Sequence, residues 1–579
     1  IKMAQFRVCP DSGFFFDKSA EGLMKANAVA GAVSLLIAGL LGLGVILTPC
    51  QEVHLLPADV FYQVLTGHRI NALIFWIIFF EIAILYFASS TLLRTRLAAP
   101  RWAWAGFVLM IVGMVMNNIA VLQGNSSVMM TSYAPMQAEP HFYLGLILFA
   151  VGALIGCFVF LGTLVIARDD RTYEGSIPLV TFGALTACII AVFTIACGAI
   201  ILVPTFLWSI GYINHIDAAM YRVIWWGLGH SSQQINVAAH VSVWYLIVGV
   251  LFNARPMSEK VSRSAFLLYI LFLQLASAHH ILVDPGISSE WKVFNTSYAM
   301  YLAVLASMVH GLTVPGSMEV AQRAKGYTKG MFEWLRKAPW GNPVFSGFFF
   351  SLIIFGFIGG ITGVVMGTEQ INIIIHNTIY VPAHFHATVA VGTTLTFMAL
   401  TYLLIPVLFR RQLFLPWMAK WQPYVFSAGM TLMILFMLGA GTLGVSRRHW
   451  DMDFTGAALA FEYPGTAYTM MAVAGIGGVL GVLGGAMYLI VTVGSLLFGK
   501  KLDESAGLLQ GFGFPLAPSS YNITQPERLQ MAPKLTVEEH GSGSFEAPGT
   551  FALALALLVC FVVYYYINWD YLASVWPLS

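Results

Sequence analysis

Six histidines lie within long apolar stretches of this 579-residue sequence. They are His68, His230, His279, His280, His384 and His386. An ionisable side chain is costly in such surroundings unless it binds something, so the first question for each is what it binds. A lone histidine of this kind is more often a hydrogen-bonded packing residue, and we assign that role to His240 and His141.

The spacing of the six histidines separates them into two kinds of ligand. His384 and His386 lie two residues apart in VPAHFHATVAVG, and on a helix such neighbours point about 200° away from each other. They cannot bind one metal together, but each can serve a different one, which would place one helix between two cofactors. The adjacent pair in SAHHILVDPG can converge with His230 as a three-histidine site. Such a nitrogen set suits copper, iron or zinc, and an open fourth position would make it catalytic.

The composition places the elements that carry these histidines in a membrane. Of all residues 58% are apolar and 10% are charged, whereas a soluble globular chain has about 25% charged residues. A soluble multidomain enzyme is therefore excluded. The net charge of +2, from scattered basic residues, leaves no footprint for nucleic acid. The six cysteines form neither CxxC nor CxxCH, which excludes a disulfide framework, a thiolate zinc site and an attached c-type heme in this chain.

Helices of about 20 apolar residues are long enough to cross a bilayer core. Thirteen such spans are predicted, and the rise of about 1.5 Å per residue places the six histidines in one slab, roughly 8–16 Å below one surface. The limits of the spans are 28–48, 58–93, 101–123, 141–167, 178–210, 219–251, 264–285, 295–320, 345–367, 378–408, 422–443, 466–498 and 550–568.

The basic residues alternate between the two ends of these spans. Of the 29 lysines and arginines, only five lie on the side of the membrane opposite the N-terminus. They are Arg69, Arg222, Lys292, Arg447 and Arg448. The positive-inside rule therefore predicts a cytoplasmic N-terminus and an outer C-terminus. The predicted division is a cytoplasmic N-terminal segment (1–27), a twelve-helix membrane core (28–498), a cytoplasmic loop (499–549), and a thirteenth helix with an outer C-terminus (550–579).

The histidine motifs resemble those of a known family. FYQVLTGHRINALIFW, WWGLGH, HHILVDPGISSEWK and HNTIYVPAHFHATV, in this order and spacing, are similar to the catalytic subunit I of heme-copper oxidases, especially its B-type branch of thirteen helices. The resemblance covers nearly the whole chain and implies that all-α membrane fold. It makes His68 and His386 axial ligands of a low-spin heme, and His384 the proximal ligand of a high-spin heme. By the same resemblance, the distal metal, copper or iron, has the ligands His230, His279 and His280.

The resemblance also implies the surroundings of these cofactors. Arg447, Arg448, His376 and Asn377 are expected near the heme propionates. The hemes are expected to be a low-spin heme b and a high-spin heme of b or a type. B-type members often carry an aspartate four residues before the HNT histidine, and this sequence has Asn372 there.

The sequence departs from oxygen-reducing members of the family at one position. In the A- and B-type members, a tyrosine four residues after the distal-metal histidine is covalently joined to it, and this sequence has Gln234 there. C-type members supply the tyrosine about six residues before the histidine pair, where this sequence has Leu273 and Gln274. A phenol supplies an electron and a proton when the O–O bond breaks, which an amide cannot do.

The missing tyrosine favours nitric oxide as the substrate. Coupling two NO molecules to N2O needs two electrons and two protons, and the nitric oxide reductases of the family lack this tyrosine. We therefore predict a nitric oxide reductase that depends on a cupredoxin subunit, in which Gln234 either hydrogen-bonds a bound nitrogen oxide or ligates the distal metal.

Protons and electrons need separate routes. Ser307, His310 and Thr313 recur every three residues, and with Tyr245 they are candidates for a proton path. Glu81 is expected to be a satisfied or interfacial residue rather than a proton carrier. Electrons are expected from outside the chain, through a cupredoxin-type subunit II on the outer face that a c-type cytochrome or other donor feeds.

Three alternatives stay open at this point. The first is a terminal oxygen reductase, similar to cytochrome c oxidase subunit I. The second is a proton or metal transporter whose buried histidines carry protons or bind a metal. The third is an NO-dismutating or sensing relative.

Overall fold

The computed structural model describes residues 6–9, 14–173, 175–273, 275–458, 460, 462–503 and 547–575. These residues are almost entirely helical, apart from one hairpin of antiparallel strands, β1 (Phe6–Val8) and β2 (Phe15–Asp17). Among them, twelve helices are long and apolar enough to cross a membrane. The prediction of an all-α protein with many membrane spans is thereby confirmed. Of the predicted loop 499–549, residues 504–546 lie outside the described residues.

The long helices and a shorter seventh one follow in chain order. They are α1 (Lys18–Leu47), α2 (Ala58–Thr91), α3 (Pro100–Leu122), α4 (Pro140–Asp169), α5 (Leu179–Ser209), α6 (Ala218–Phe252), α7 (Glu259–Leu268), α8 (Ser289–Ala324), α9 (Pro343–Gly367), α10 (Tyr380–Phe409), α11 (Pro416–Thr442), α12 (Gly465–Phe498) and α13 (Pro548–Val575). Two further short helices, Glu333–Arg336 and Glu369–Ile375, lie in the connections on either side of α9.

The seventh predicted span, 264–285, is not one regular helix, and this part of the prediction is wrong. After α7 the backbone widens into a π turn over Tyr269–Leu273 and ends in a 3-10 turn over Ala276–His280. A regular α-helix separates successive side chains by about 100°. In the 3-10 turn, the rings of His279 and His280 instead lie 4.0 Å apart between centroids. The irregular backbone therefore lets both histidines face the same neighbour.

The first helix begins at Lys18 rather than at the predicted residue 28. Its first turns carry Glu21, whose carboxylate accepts hydrogen bonds from Arg7 at 2.9 Å and from Lys25 at 2.8 Å. These partners offset the cost of burying the Glu21 carboxylate. Residues 18–27, whose polarity predicts a segment before the first span, are therefore part of this helix.

The centre of the bundle is formed by α2, α6 and α10. In the most apolar stretch of each helix, 94% of residues are buried in α6 and α10 and 78% in α2, against 6% in α13. A helix that is buried on all sides can present residues from several faces to the interior. These central helices carry His68, His230, His384 and His386.

The most exposed helix, α13, is attached at its start by a buried carboxylate. Glu319 of α8 accepts hydrogen bonds from the backbone N–H groups of Gly549 at 3.0 Å and Thr550 at 2.7 Å. Arg323 donates to the same carboxylate at 2.8 Å. An acidic group at a helix N-terminus also interacts favourably with the helix dipole.

Candidate functional site

Two cavities that the described residues enclose lie beside α10. The larger has a volume of about 360 Å³ and the smaller of about 250 Å³. His384 lines the larger cavity, whereas His386 lines the smaller one together with His68 of α2. The two histidines of the His-x-His motif therefore serve different cavities, and α10 separates them.

Three histidines converge at the wall of the larger cavity. One nitrogen atom from each of His230, His279 and His280 lies within 4.8 Å of the other two. The Nδ1 atom of His230 is 3.0 Å from the Nε2 atom of His280. Nitrogen atoms at these separations are the donor set of a single metal ion. Since His384 lines the same cavity, the three-histidine site shares its space with a fourth potential ligand.

The other three of the six histidines, His68, His384 and His386, each have one ring nitrogen within hydrogen-bonding distance of an oxygen atom. The Nδ1 atom of His68 is 2.8 Å from the carbonyl oxygen of Ala38, and that of His386 is 2.6 Å from the carbonyl oxygen of Pro382. His384 has its Nδ1 atom 3.0 Å from the hydroxyl oxygen of Thr362. Metal-binding histidines commonly have such a contact, which fixes the ring and leaves the other nitrogen for the metal.

Glycines make room for two of these rings. A Cβ atom added at Gly42 would lie 2.8 Å from the Cε1 atom of His68. A Cβ atom at Gly363 would lie 2.9 Å from the Cε1 atom of His384. Real Cβ atoms do not approach other atoms this closely, so both histidines depend on a residue without a side chain beside them.

Arg447 and Arg448 line both cavities. The Nε atoms of both are buried and have no hydrogen-bond partner among the described residues, and no described carboxylate pairs with either guanidinium group. Burial, followed by the charges of Arg448 and Arg69, lowers the pKa of Arg447 well below its usual range. A concentration of buried guanidinium groups without carboxylates is a site that favours an anionic ligand.

Asn377 and His376 are the other two residues predicted near the propionates. Asn377 contacts Arg447 directly, since its side-chain oxygen accepts a hydrogen bond from the guanidinium group at 3.0 Å. His376 lines neither cavity. Burial and the Arg447 charge lower its pKa to about 4, so this histidine is neutral at physiological pH.

Gln234 lines the larger cavity and is 1% exposed. It follows His230 by four residues on α6, which puts the two side chains on one face of the helix. Trp226 precedes His230 by the same spacing, and its ring stacks on that of His280 at 3.8 Å between centroids with an angle of 7°. At the position where C-type members supply the tyrosine, this chain has Leu273 and Gln274, and Gln274 lies outside the described residues.

The polar row predicted on α8 continues onto neighbouring helices. The hydroxyl group of Tyr245 lies 2.6 Å from that of Thr313 and 3.0 Å from the Nδ1 atom of His310. Ser307 lies 3.0 Å from the hydroxyl group of Tyr269 and lines the larger cavity. The row therefore reaches the cavity that holds the three-histidine site.

Some residues at this site were missed by the sequence reasoning. Ser262 accepts a hydrogen bond from Tyr245 at 3.0 Å, and it precedes Tyr269 by seven residues, which is two helical turns. That spacing was a signal that could have added both residues to the polar row. No comparable spacing in the sequence indicates the contact between Thr362 and His384. Glu81, expected to be a satisfied or interfacial residue, is 6% exposed and lines the larger cavity, and its carboxyl oxygen accepts a hydrogen bond from Asn236 at 2.8 Å. The structure supports the first of these two alternatives.

Residues 23–480 match the family model of Cytochrome C and Quinol oxidase polypeptide I. The match covers most of the chain, and the chain therefore belongs to this family, subunit I of the heme-copper oxidases, which binds hemes and copper. The predicted family and fold are thereby confirmed.

Individual relatives support the same assignment. The chain is 30% identical to cytochrome c oxidase subunit 1 of Thermus thermophilus over 424 residues, which are 71% of this chain and 72% of that one. It is 22% identical to cytochrome c oxidase subunit 1 of Synechocystis sp. over 420 residues, which are 68% of this chain and 71% of that one. A cryo-EM structure of a heme-copper terminal oxidase dimer has the same fold, with a TM-score of 0.79 and 24% identity, over 96% of this chain and 92% of that one.

Proposed function

We propose that this chain is the catalytic subunit of a membrane nitric oxide reductase, which converts two NO molecules to N2O and water. The observation that carries the proposal is Gln234. It lines the larger cavity with His230 and His384 and is buried, at the position where oxygen-reducing members have the tyrosine.

The residues present fit two hemes and one distal metal. His68 and His386 would bind the low-spin heme, expected to be of b type, in the smaller cavity. His384 would bind the high-spin heme, of b or a type, in the larger cavity. Arg447 and Arg448 line both cavities, and their Nε atoms, which have no hydrogen-bond partner among the described residues, suit the propionates of both hemes.

His230, His279 and His280 would hold copper or iron in the cavity that His384 also lines. When bound, the high-spin heme and this metal supply the site where NO binds and is reduced. Gln234 contributes an amide beside that site, which can donate or accept a hydrogen bond but cannot be oxidised as a phenol can. Reduction of 2 NO to N2O and H2O takes two electrons and two protons, so the reaction needs no side-chain radical.

In this proposal, protons are delivered by the polar row of Ser307, His310, Thr313 and Tyr245. Tyr245, His310 and Thr313 lie within hydrogen-bonding distance of one another through the tyrosine hydroxyl group. Ser307 carries the row to the larger cavity. We propose that protons reach the site along these groups from the cytoplasm.

The setting of the chain is part of the same proposal. The chain lies in the bacterial inner membrane, and residues 28–498 form its membrane core. Residues 1–27 and 499–549 are cytoplasmic. Residues 550–579 form the last helix and a C-terminus on the outer side. Electrons would enter at the outer face from a cupredoxin-type subunit II, which receives them from a c-type cytochrome or another donor. Lipid surrounds the bundle, and no nucleic acid is expected to bind.

Oxygen reduction is the second candidate function. It is favoured by the relatives, since those of Thermus thermophilus and Synechocystis are cytochrome c oxidase subunits. Membership of an oxidoreductase family argues against the transporter alternative.

Turnover of the purified complex with NO and with O2, under one supply of electrons, tests the proposal. We expect NO consumption to be the faster reaction. An oxygen reductase would instead consume O2 rapidly and NO slowly or not at all.

A further inference from the structure

Glu81 is a carboxylic acid in the interior of α2, far from either end of the helix. Its side chain lines the larger cavity, which also contains the three-histidine site. Among the described residues that line this cavity it is the only aspartate or glutamate. No ion pair among the described residues includes it. An ionised carboxylate without a nearby cation is costly inside a membrane, so the neutral acid, which carries a proton, is the favoured form.

Asn236 connects this acid to α6. With the amide group oriented so that both of its polar atoms find partners, its nitrogen donates to Oε1 of Glu81 at 2.8 Å and to the carbonyl oxygen of Ser232 at 3.1 Å. Asn236 lies six residues after His230, which is about 9 Å along a helix. Glu81 is therefore attached to the helix that carries a ligand of the distal metal and Gln234.

Gln233 lies between these two positions on α6. It is three residues from His230 and three from Asn236, the spacing of neighbours on one helical face. Its nitrogen donates to the hydroxyl group of Ser232 at 3.4 Å, while its Oε1 atom is buried and has no hydrogen-bond partner among the described residues. Both amides line the larger cavity. They provide polar groups along the cavity wall from Glu81 to the three-histidine site.

We infer that Glu81 is an internal proton donor for the reaction at the three-histidine site, acting along the wall formed by Asn236 and Gln233. This inference rests on the proposed function. It adds a second approach for protons, because the row of Tyr245 and Ser307 reaches the cavity from α8 and Glu81 reaches it from α2.

The proton balance of the reaction leaves a place for this donor. When two NO molecules become N2O and water, an N–N bond forms, one N–O bond breaks and each nitrogen gains one electron. The electrons come from the electron-donor protein at the outer face. The released oxygen leaves as water with two protons, of which Glu81 supplies one as its O–H bond breaks. Glu81 then regains a proton from the aqueous phase before the next turnover.

The variant that tests this role is Glu81→Gln in the full complex. It keeps the shape of the side chain and an oxygen that can accept from Asn236, but it carries no transferable proton. The matched control is Glu319→Gln, which removes another buried acid that lines neither cavity. Glu81→Asp, which keeps an acid, distinguishes loss of the proton from loss of the contact.

We expect kcat for NO reduction to fall by about 10²-fold in Glu81→Gln, since positioned proton transfer typically contributes that much or more. The KM for NO should stay near the wild-type value, because the carboxyl group does not bind the gas. Without this acid, both protons must be taken up from solvent during turnover through the row of Tyr245 and Ser307, so the remaining rate should fall about tenfold for each unit of rising pH. Glu81→Asp should recover part of the rate, and Glu319→Gln should match the wild type per folded complex.

A second readout is independent of turnover. The infrared difference spectrum between reduced and oxidised complex should contain a carboxylic-acid C=O band that shifts in D2O. The band should be present in the wild type and in Glu319→Gln and absent in Glu81→Gln.

The results separate this inference from the proposed function. If the wild type reduces NO while Glu81→Gln keeps its rate, its pH profile and the infrared band, the inference is overturned and the proposed function stands. If the wild type makes no N2O, the proposed function fails, and the same variants are compared with O2. Loss of oxygen reduction in Glu81→Gln would then support the proton donor, and equal rates would overturn it.

Discussion

The Nδ1 atom of His230 lies 3.0 Å from the Nε2 atom of His280. The first residue belongs to the regular helix α6 and the second to the 3-10 turn that ends the broken seventh segment. With His279 they bring three nitrogen atoms within 4.8 Å of one another. The geometry of this candidate metal site therefore depends on an irregular backbone as well as on the choice of residues.

The first prediction concerns this cluster. His280→Ala should abolish binding of the distal metal while both hemes are retained, because two remaining imidazoles are a poor site and the heme ligands lie elsewhere. Metal analysis and a pyridine hemochrome spectrum of the purified complex measure the two quantities. His141→Ala is the control, since that histidine contacts Gln123 at 2.8 Å and lines neither cavity. A wild-type distal-metal content in His280→Ala would show that the cluster is not the metal site.

The second prediction concerns the space beside His68. Gly42→Ala should displace that ring, with a cost of about 1–3 kcal/mol in stability, because the added methyl group would lie 2.8 Å from Cε1. The low-spin heme signal in the optical spectrum should weaken or shift. Gly22→Ala is a matched control on the same helix, since its Cβ would lie at an ordinary contact distance of 3.5 Å from Trp104 and Gly22 lines neither cavity. An unchanged low-spin spectrum in Gly42→Ala would argue against His68 as an axial ligand.

The sequence predicted the parts of this site that depend on spacing along one helix. The His-x-His spacing on α10 was enough to assign His384 and His386 to different cavities. Lengths of apolar stretches were enough to predict twelve of the thirteen spans as long helices. Both features are local, since helical geometry alone relates the residues concerned.

Features that depend on contacts between helices could not be predicted in this way. The pairing of Glu81 with Asn236 depends on the rotation and relative depth of α2 and α6, which hydrophobic periodicity does not determine. The break over Ala276–His280 occurs in an apolar stretch with no proline or glycine before the histidine pair, so no local signal marked it.

The third prediction concerns the proton row. Tyr245→Phe removes the hydroxyl group that contacts Ser262, His310 and Thr313, so turnover should fall by at least about tenfold while both hemes remain assembled. Steady-state NO consumption per heme is the measurement. Tyr488→Phe is the control, because this buried tyrosine bonds Thr401 at 2.9 Å and lines neither cavity. Equal rates in the two variants would exclude the row as the main proton path.

The fourth prediction concerns Gln234. Gln234→Ala should collapse NO turnover while both hemes remain assembled, because it removes the amide that the proposed function places beside the bound gas. Gln422→Ala is the control, as it truncates a buried glutamine on α11 that bonds Tyr402 at 3.1 Å and lines neither cavity. Wild-type N2O production by Gln234→Ala would show that the assigned role is wrong.

Mass spectrometry of the gas formed from ¹⁵N-labelled NO tests the central claim most directly. The purified complex, supplied with electrons and no oxygen, should release one doubly labelled N2O for every two NO molecules consumed, through many turnovers. Consumption of O2 to water by the same preparation, with no labelled N2O formed from NO, would contradict the assignment and identify the chain as an oxygen reductase subunit.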